Sequence, residues 1–172
     1  MKYNYLGNSG IKLSEISFGS WLTFGDHIDI SLAKESIRFA FDQGINFFDN
    51  AEVYAAGESE RIMGEAIKDF RREDLVISTK LFWGGEGVND QGLSRKHLVE
   101  GINNSLKRLQ LDYVDLLFCH RPDPHTPIEE TVRAMDHIVQ SGKAFYWGTS
   151  EWSLKEIEDA HMIARQINAI GP

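Results

Sequence analysis

Five short apolar runs alternate with five amphipathic stretches along the chain, and this alternation restricts the fold more than any other feature. The runs cover residues 16–18, 45–48, 75–79, 114–119 and 144–149. Helical periodicity fills the gaps. Residues 32–43 place Ala33, Ile37, Ala40 and Phe41 on one face, with Gly44 as a stop; residues 59–68 carry Ile62, Met63, Ala66 and Ile67. Residues 94–109 carry Leu98, Ile102, Leu106 and Leu109. Two further helices are predicted to open on capping boxes, Thr126-Pro-Ile-Glu129 and Ser153-Leu-Lys-Glu156, and to run to about 141 and 166. Each crossover is long enough for a helix, so the sheet is expected to be parallel. Both a barrel and an open doubly wound sheet satisfy this order. A hairpin pattern over residues 3–6 and 11–13, turning at Gly7-Asn-Ser-Gly10, precedes the first unit; such a hairpin can plug a barrel floor. The fold class is therefore α/β, with the hairpin favouring the barrel of the two.

The 172 residues are 42% hydrophobic and 26% charged, enough for a packed core. A net charge of −8 argues against a nucleic-acid surface. One cysteine, Cys119, excludes an intrachain disulfide and points to a reducing, cytoplasmic setting. No apolar run reaches the length of a membrane span, and the first residues do not read as a signal peptide.

In a parallel barrel the strand ends converge on one face, where active sites are built. Asp49, Lys80 and His120 each follow an apolar run, and Tyr54 lies just beyond the first of them. Strand alternation sends Phe47 and Asp49 one way, as it does Ser78 and Lys80, and Phe118 and His120. Incidental charges on a solvated rim explain any one of these residues, but poorly explain four at matching topological positions. An ammonium beside a phenol stabilises the phenolate, and a carboxylate holds the ammonium in place, so the set reads as a proton-donating site. Trp21, Phe82 and Trp83 lie just past strand ends and are candidate pocket walls.

Other chemistries fit less well. Cys119 and His120 are neighbours on a strand and face opposite sides, so Cys119 reads as a small packed hydrophobe. His120, Asp123 and His125 have no metal-ligand spacing, and no metal is expected. Asp49 and Glu52 come from one strand end and cannot flank a sugar as glycosidase carboxylates do. Gly84-Gly-Glu-Gly87 is not a nucleotide fingerprint and reads as a long mobile loop. His97, His137 and His161 fall within helices and read as surface residues, whereas His27, in the first strand–helix loop, is a candidate for function.

Gly44-Ile-Asn-Phe-Phe-Asp-Asn-Ala-Glu-Val-Tyr54, with Lys80 and His120, resembles the signature of the aldo-keto reductases, (β/α)8-barrel enzymes that reduce carbonyls with NADPH. Gly19-Ser-Trp-Leu-Thr-Phe-Gly25, Ala51-Glu-Val-Tyr-Ala-Ala-Gly57, Lys80-Leu-Phe-Trp-Gly-Gly85, Gly92-Leu-Ser-Arg-Lys-His97, Arg121-Pro-Asp-Pro124 and Tyr146-Trp-Gly-Thr-Ser150 are similar to one branch of that family. That branch holds the β subunits of voltage-gated potassium channels and their bacterial relatives. The resemblance implies that Tyr54 is the general acid, that Lys80 and Asp49 tune it, and that His120 orients a small-molecule carbonyl substrate. It implies that Ser20, Trp21, Asp49, Ser150 and Glu151 line an NADPH site, and that Trp21, Trp83 and His120 wall the substrate pocket. Many members carry asparagine where this chain has Glu151, and the channel subunits carry arginine there. The channel subunits also have asparagine at the position of His120, so the imidazole favours a reductase over an NADPH-sensing regulatory subunit. Members run to roughly twice this length. The resemblance therefore implies an α/β fold of the (β/α)8 TIM-barrel type, about five βα units after the hairpin in a single domain spanning 1–172, an incomplete barrel lacking the last three strand–helix units with their phosphate- and adenosine-binding loops. Such a chain would self-associate or take up a missing C-terminal half, and a truncated, inactive partial barrel is the remaining alternative.

Overall fold

The computed structural model describes residues 1–21, 24–25 and 28–172. Strands β1 (Tyr3–Tyr5) and β2 (Lys12–Ser14) form the antiparallel hairpin. Five parallel strands follow in sequence order: β3 (Phe18–Gly19), β4 (Phe47–Asp49), β5 (Val76–Leu81), β6 (Val114–Cys119) and β7 (Ala144–Thr149). Between and after them run α1 (Ile30–Asp42), α2 (Glu58–Ile67), α3 (Arg95–Leu109), α4 (Ile128–Gln140) and α5 (Leu154–Gln166). The result is a five-stranded α/β sheet of partial TIM-barrel type, in which β3 and β7 are the two edges.

The period of two along each strand decides which side meets the helices. Phe48, Ile77, Thr79, Leu81, Leu117 and Cys119 are fully buried, and the aliphatic stripes of the helices join the same core through Ile37, Met63, Leu98, Ile102 and Met135. Each fully buried Leu or Ile contributes about 1.5–3 kcal/mol, so this layer carries most of the stability. Cys119 lies in it, with its thiol pushed upward by burial, as the small packed hydrophobe that was expected. Alternate residues, among them Asp49, Ser78, Lys80 and Phe118, lie on the opposite face.

Several element ends shift from the sequence reading, β4 and β5 each ending one to two residues later than their apolar runs, and two differences matter more. The first strand is displaced to Phe18–Gly19, and Ile16 is exposed. The capping box at Thr126 is absent. Thr126 Oγ1 donates to Asp123 Oδ2 (2.7 Å), which also accepts Leu93 N (2.8 Å), and Pro127 takes the N-cap position without a side-chain bond. The Asp123 carboxylate therefore outcompetes the helix for the hydroxyl. The box at Ser153 and Glu156 forms in both directions. Asp29 caps α1 and Ser94 caps α3. No helix among the described residues is long and apolar enough to cross a membrane.

Candidate active site

The ends of β4, β5 and β6 bring four predicted side chains together. Lys80 projects from β5, and its Nζ donates to Asp49 Oδ2 (2.5 Å), to the Asn50 carbonyl (2.8 Å) and to the Tyr54 hydroxyl oxygen (3.0 Å). Asp49 Oδ1 accepts from Ser78 Oγ (2.6 Å), so the carboxylate is fixed from two strands. The Tyr54 oxygen takes the ammonium proton as acceptor, leaving its own O–H to be donated elsewhere. Tyr54 is aimed by an unusual turn. Ala55 (φ 48°) and Ala56 (φ 51°) are both left-handed, a conformation that costs an alanine about 1–2 kcal/mol and is retained at sites that need it. The His120 ring stands edge-on to Tyr54 with centroids 5.9 Å apart, and edge-on to Trp83 at 5.2 Å.

Tyr54, Lys80, Trp83 and His120 line an open cleft of about 510 Å³, bounded also by Trp21, Arg121, Ser150 and Glu151, with Asp49 behind Lys80 and outside the lining. Trp21 is 64% exposed and stacks on Tyr54 with centroids 6.4 Å apart. The Ser150 hydroxyl has no hydrogen-bond partner among the described residues, although its backbone N–H is tied to Cys119 O (3.0 Å). Glu151, left-handed at φ 57°, pairs instead with Arg121 across the mouth (3.2 Å). Ser20 is buried beneath the cleft, its hydroxyl donating to the Asp49 carbonyl (2.9 Å). Phe82 turns toward the core rather than the cleft. His27 lies outside the described residues. Among the described residues no three His, Cys, Asp or Glu side chains group as a metal site.

Burial, reinforced by the Lys80 and Arg121 charges against the opposing pull of Asp49, pushes the His120 imidazole down from its ordinary 6.5 to about 4. Its Nδ1 is buried without a hydrogen-bond partner among the described residues. The imidazole is thus neutral at physiological pH. Because the folded value lies below the unfolded one, the unfolded chain binds more protons between about pH 4 and 6.5. Stability is expected to fall as pH drops through that window and to level off below it. Melting temperatures of the parent and of His120→Asn should separate in favour of the variant as the window is crossed. A constant difference from pH 8 to pH 4 would refute the shift.

The sequence reading missed a buried pair behind this site. His97 is not a surface residue: it is 4% exposed, and its Nε2 lies 2.9 Å from Glu52 Oε1, which also accepts Phe82 N (2.7 Å). Glu52 in turn donates its backbone N–H to Lys80 O (3.1 Å). The pair ties the first turn of α3 to the segments that carry Tyr54 and Trp83. Gly84 makes room for it, since a Cβ there would meet His97 Cε1 at 2.7 Å and Glu52 Oε2 at 3.0 Å. Helical position alone hid His97; the available signal was its place three residues past the Ser94 cap, one turn from the loop. His137 and His161 are exposed as expected. His97→Leu leaves a buried carboxylate short of a partner and is expected to cost about 3 kcal/mol. Urea denaturation would measure it, and a loss below about 1 kcal/mol, typical of an exposed pair, would contradict the assignment.

The glycine loop folds back on itself. Gly84 N donates to Asp90 O (2.7 Å), Asp90 Oδ2 accepts Gly87 N (2.9 Å), and Trp83 bridges to Gln91. This closure presents Trp83 to the cleft.

Comparison with known proteins places the arrangement in context. The chain is 56% identical to a probable voltage-gated potassium channel subunit β of Oryza sativa subsp. japonica and 59% identical to one of Arabidopsis thaliana. In each case the match covers 100% of this chain and 53% of the relative, so the chain spans about half the length of the curated relatives it matches. A thermostable aldo-keto reductase solved in complex with the inhibitor epalrestat superposes with a TM-score of 0.85 at 36% identity, over 95% of this chain and 58% of that one. The aldo/keto reductase family model matches residues 15–169. With Tyr54, Lys80, Asp49 and His120 gathered at the strand ends of a partial barrel, the chain belongs to the aldo/keto reductase family.

Proposed function

We propose that this protein reduces aldehydes or ketones to alcohols with NADPH, with Tyr54 as the general acid. The observation that carries the reading is the contact of Lys80 Nζ with both the Tyr54 hydroxyl (3.0 Å) and Asp49 (2.5 Å). A bound reduced nicotinamide supplies two electrons and a hydrogen to the carbonyl carbon. Tyr54 donates its proton to the carbonyl oxygen, and the Lys80 ammonium stabilises the phenolate left behind. Asp49 keeps Lys80 in that position. His120, neutral above about pH 4, has no extra proton to give and instead orients the carbonyl at the floor of the cleft. The unpartnered Ser150 hydroxyl and the exposed Trp21 face suit a planar carboxamide-bearing ring, and Glu151 stands beside them.

The test is NADPH consumption by the intact protein across a panel of aldehydes, in parent and Lys80→Met. The variant should lose roughly 10²-fold or more in kcat, the scale of a misplaced proton donor, while its circular dichroism stays unchanged. Equal turnover in the two proteins would reject the coupling. The names of the curated relatives favour a second reading, an NADPH-sensing regulatory subunit for a channel. Tight NADPH binding with no turnover of any carbonyl would select it.

A further inference from the structure

We propose that Arg121 recognises an anionic group on the substrate, so that the preferred carbonyl compounds carry a carboxylate about one aryl ring from the reacting carbonyl. Two cations line the cleft among the described residues, Lys80 and Arg121. Lys80 is committed: its three donors meet Asp49, Asn50 O and Tyr54. Arg121 is anchored without being used up. Its Nη1 donates to the His120 carbonyl (2.6 Å), and its guanidinium lies 5.4 Å from the Trp83 ring centroid. These contacts hold the planar fork in place independently of any acidic partner. Nη2 reaches one carboxylate oxygen, Glu151 Oε1, at 3.2 Å. A guanidinium has five N–H donors, so an edge remains for a second acceptor.

Glu151 is a weak occupant of that edge. Its side chain is 67% exposed, and its backbone sits in the left-handed region at φ 57°. Ion pairs that exposed are worth about 0–1 kcal/mol. A ligand carboxylate pairing bidentately gains two charge-assisted hydrogen bonds where Glu151 makes a single ion-pair contact. Trp83 makes one ring contact with His120 and one with Arg121, and it shares the cleft wall with Tyr54. An aryl or short alkyl spacer lying along Trp83 is thus the link proposed between the carboxylate and the carbonyl, since Arg121, Trp83 and Tyr54 line one cleft.

The substrate half of this proposal rests on the carbonyl reduction proposed above, whereas the anion-binding half does not. Benzoate is the probe for binding, titrated into the intact protein and followed by tryptophan fluorescence, with Trp83→Phe identifying the reporting ring. Benzoate should bind saturably, and neutral benzamide should not bind over the same range. Arg121→Met should weaken benzoate roughly 10- to 100-fold, the range for losing a charge-assisted hydrogen-bonded pair, with Arg121→Lys in between. Glu151→Gln should tighten benzoate several-fold, because it removes a competing carboxylate. No saturable binding, no loss in Arg121→Met, or weaker binding in Glu151→Gln would overturn the proposal. So would a loss of NADPH affinity in Arg121→Met as large as the loss for benzoate, since the arginine would then serve the cofactor. With aldehydes, the ratio of kcat/KM for 4-carboxybenzaldehyde over 4-methylbenzaldehyde should fall at least tenfold in Arg121→Met. If neither aldehyde is reduced by the parent, the reductase reading fails, and the benzoate titration still decides the role of Arg121.

Discussion

Tyr54→Phe is expected to abolish nearly all carbonyl reduction, by roughly 10²- to 10⁴-fold in kcat, while leaving NADPH affinity within a few-fold of the parent. The phenol's proton is needed only as the carbonyl oxygen gains charge, so the loss falls on the transition state and hardly on the ground state. Phenylalanine keeps the ring that stacks on Trp21 at 6.4 Å and meets His120 at 5.9 Å, so the walls of the cleft survive the change. What disappears is the oxygen 3.0 Å from Lys80 Nζ. Steady-state kinetics with a simple aldehyde and a fluorescence titration with NADPH separate the two quantities. Turnover near that of the parent would remove Tyr54 from its role. An equal collapse of cofactor binding would show that the hydroxyl acts in the ground state.

The second large effect concerns the sheet edges. A polypeptide of these 172 residues is expected to self-associate, or to bind a second polypeptide that supplies further strands. β3 pairs only with β4, through Phe18 and Gly19, and β7 pairs only with β6. A closed barrel has no such edges. Unpaired strand backbone is a template for pairing with another chain. The apolar surface nearby points the same way: Phe39 is 68% exposed and Leu32 47% on α1, and Phe145 and Tyr146 on β7 are 46% and 37% exposed. Light scattering on the purified chain measures the outcome. A sharp monomer at tens of micromolar, binding NADPH at micromolar concentration or tighter, would contradict the argument.

Both predictions depend on residues that differ in how far the sequence revealed them. Asp49, Lys80 and His120 were legible because each stands at the same place in a repeating strand–loop–helix unit, with Tyr54 just beyond the first, and parallel strands bring equivalent places together. The boundaries of β6, β7 and α5 were legible for a similar reason, since long apolar runs and a true capping box leave little freedom. The first strand was less so: Ile16 looks like its start, but only pairing with Phe48 and Asp49 fixes it at Phe18 and Gly19.

The pattern of local preferences thus determined the order of elements, the parallel sense of the sheet and which polar side chains stand at the strand ends. Tertiary structure alone decided which polar groups found one another across elements. Thr126 had a helix to cap and an aspartate nearby, and its hydroxyl went to Asp123. His97 carried the periodicity of a surface position, yet it turned inward because Glu52, 45 residues away, needed a buried partner. Arg121 and Glu151, from the ends of different strands, likewise met only across the cleft mouth. Periodicity records where the backbone places a side chain, whereas hydrogen-bond and charge partners depend on distances between segments, which no local pattern encodes.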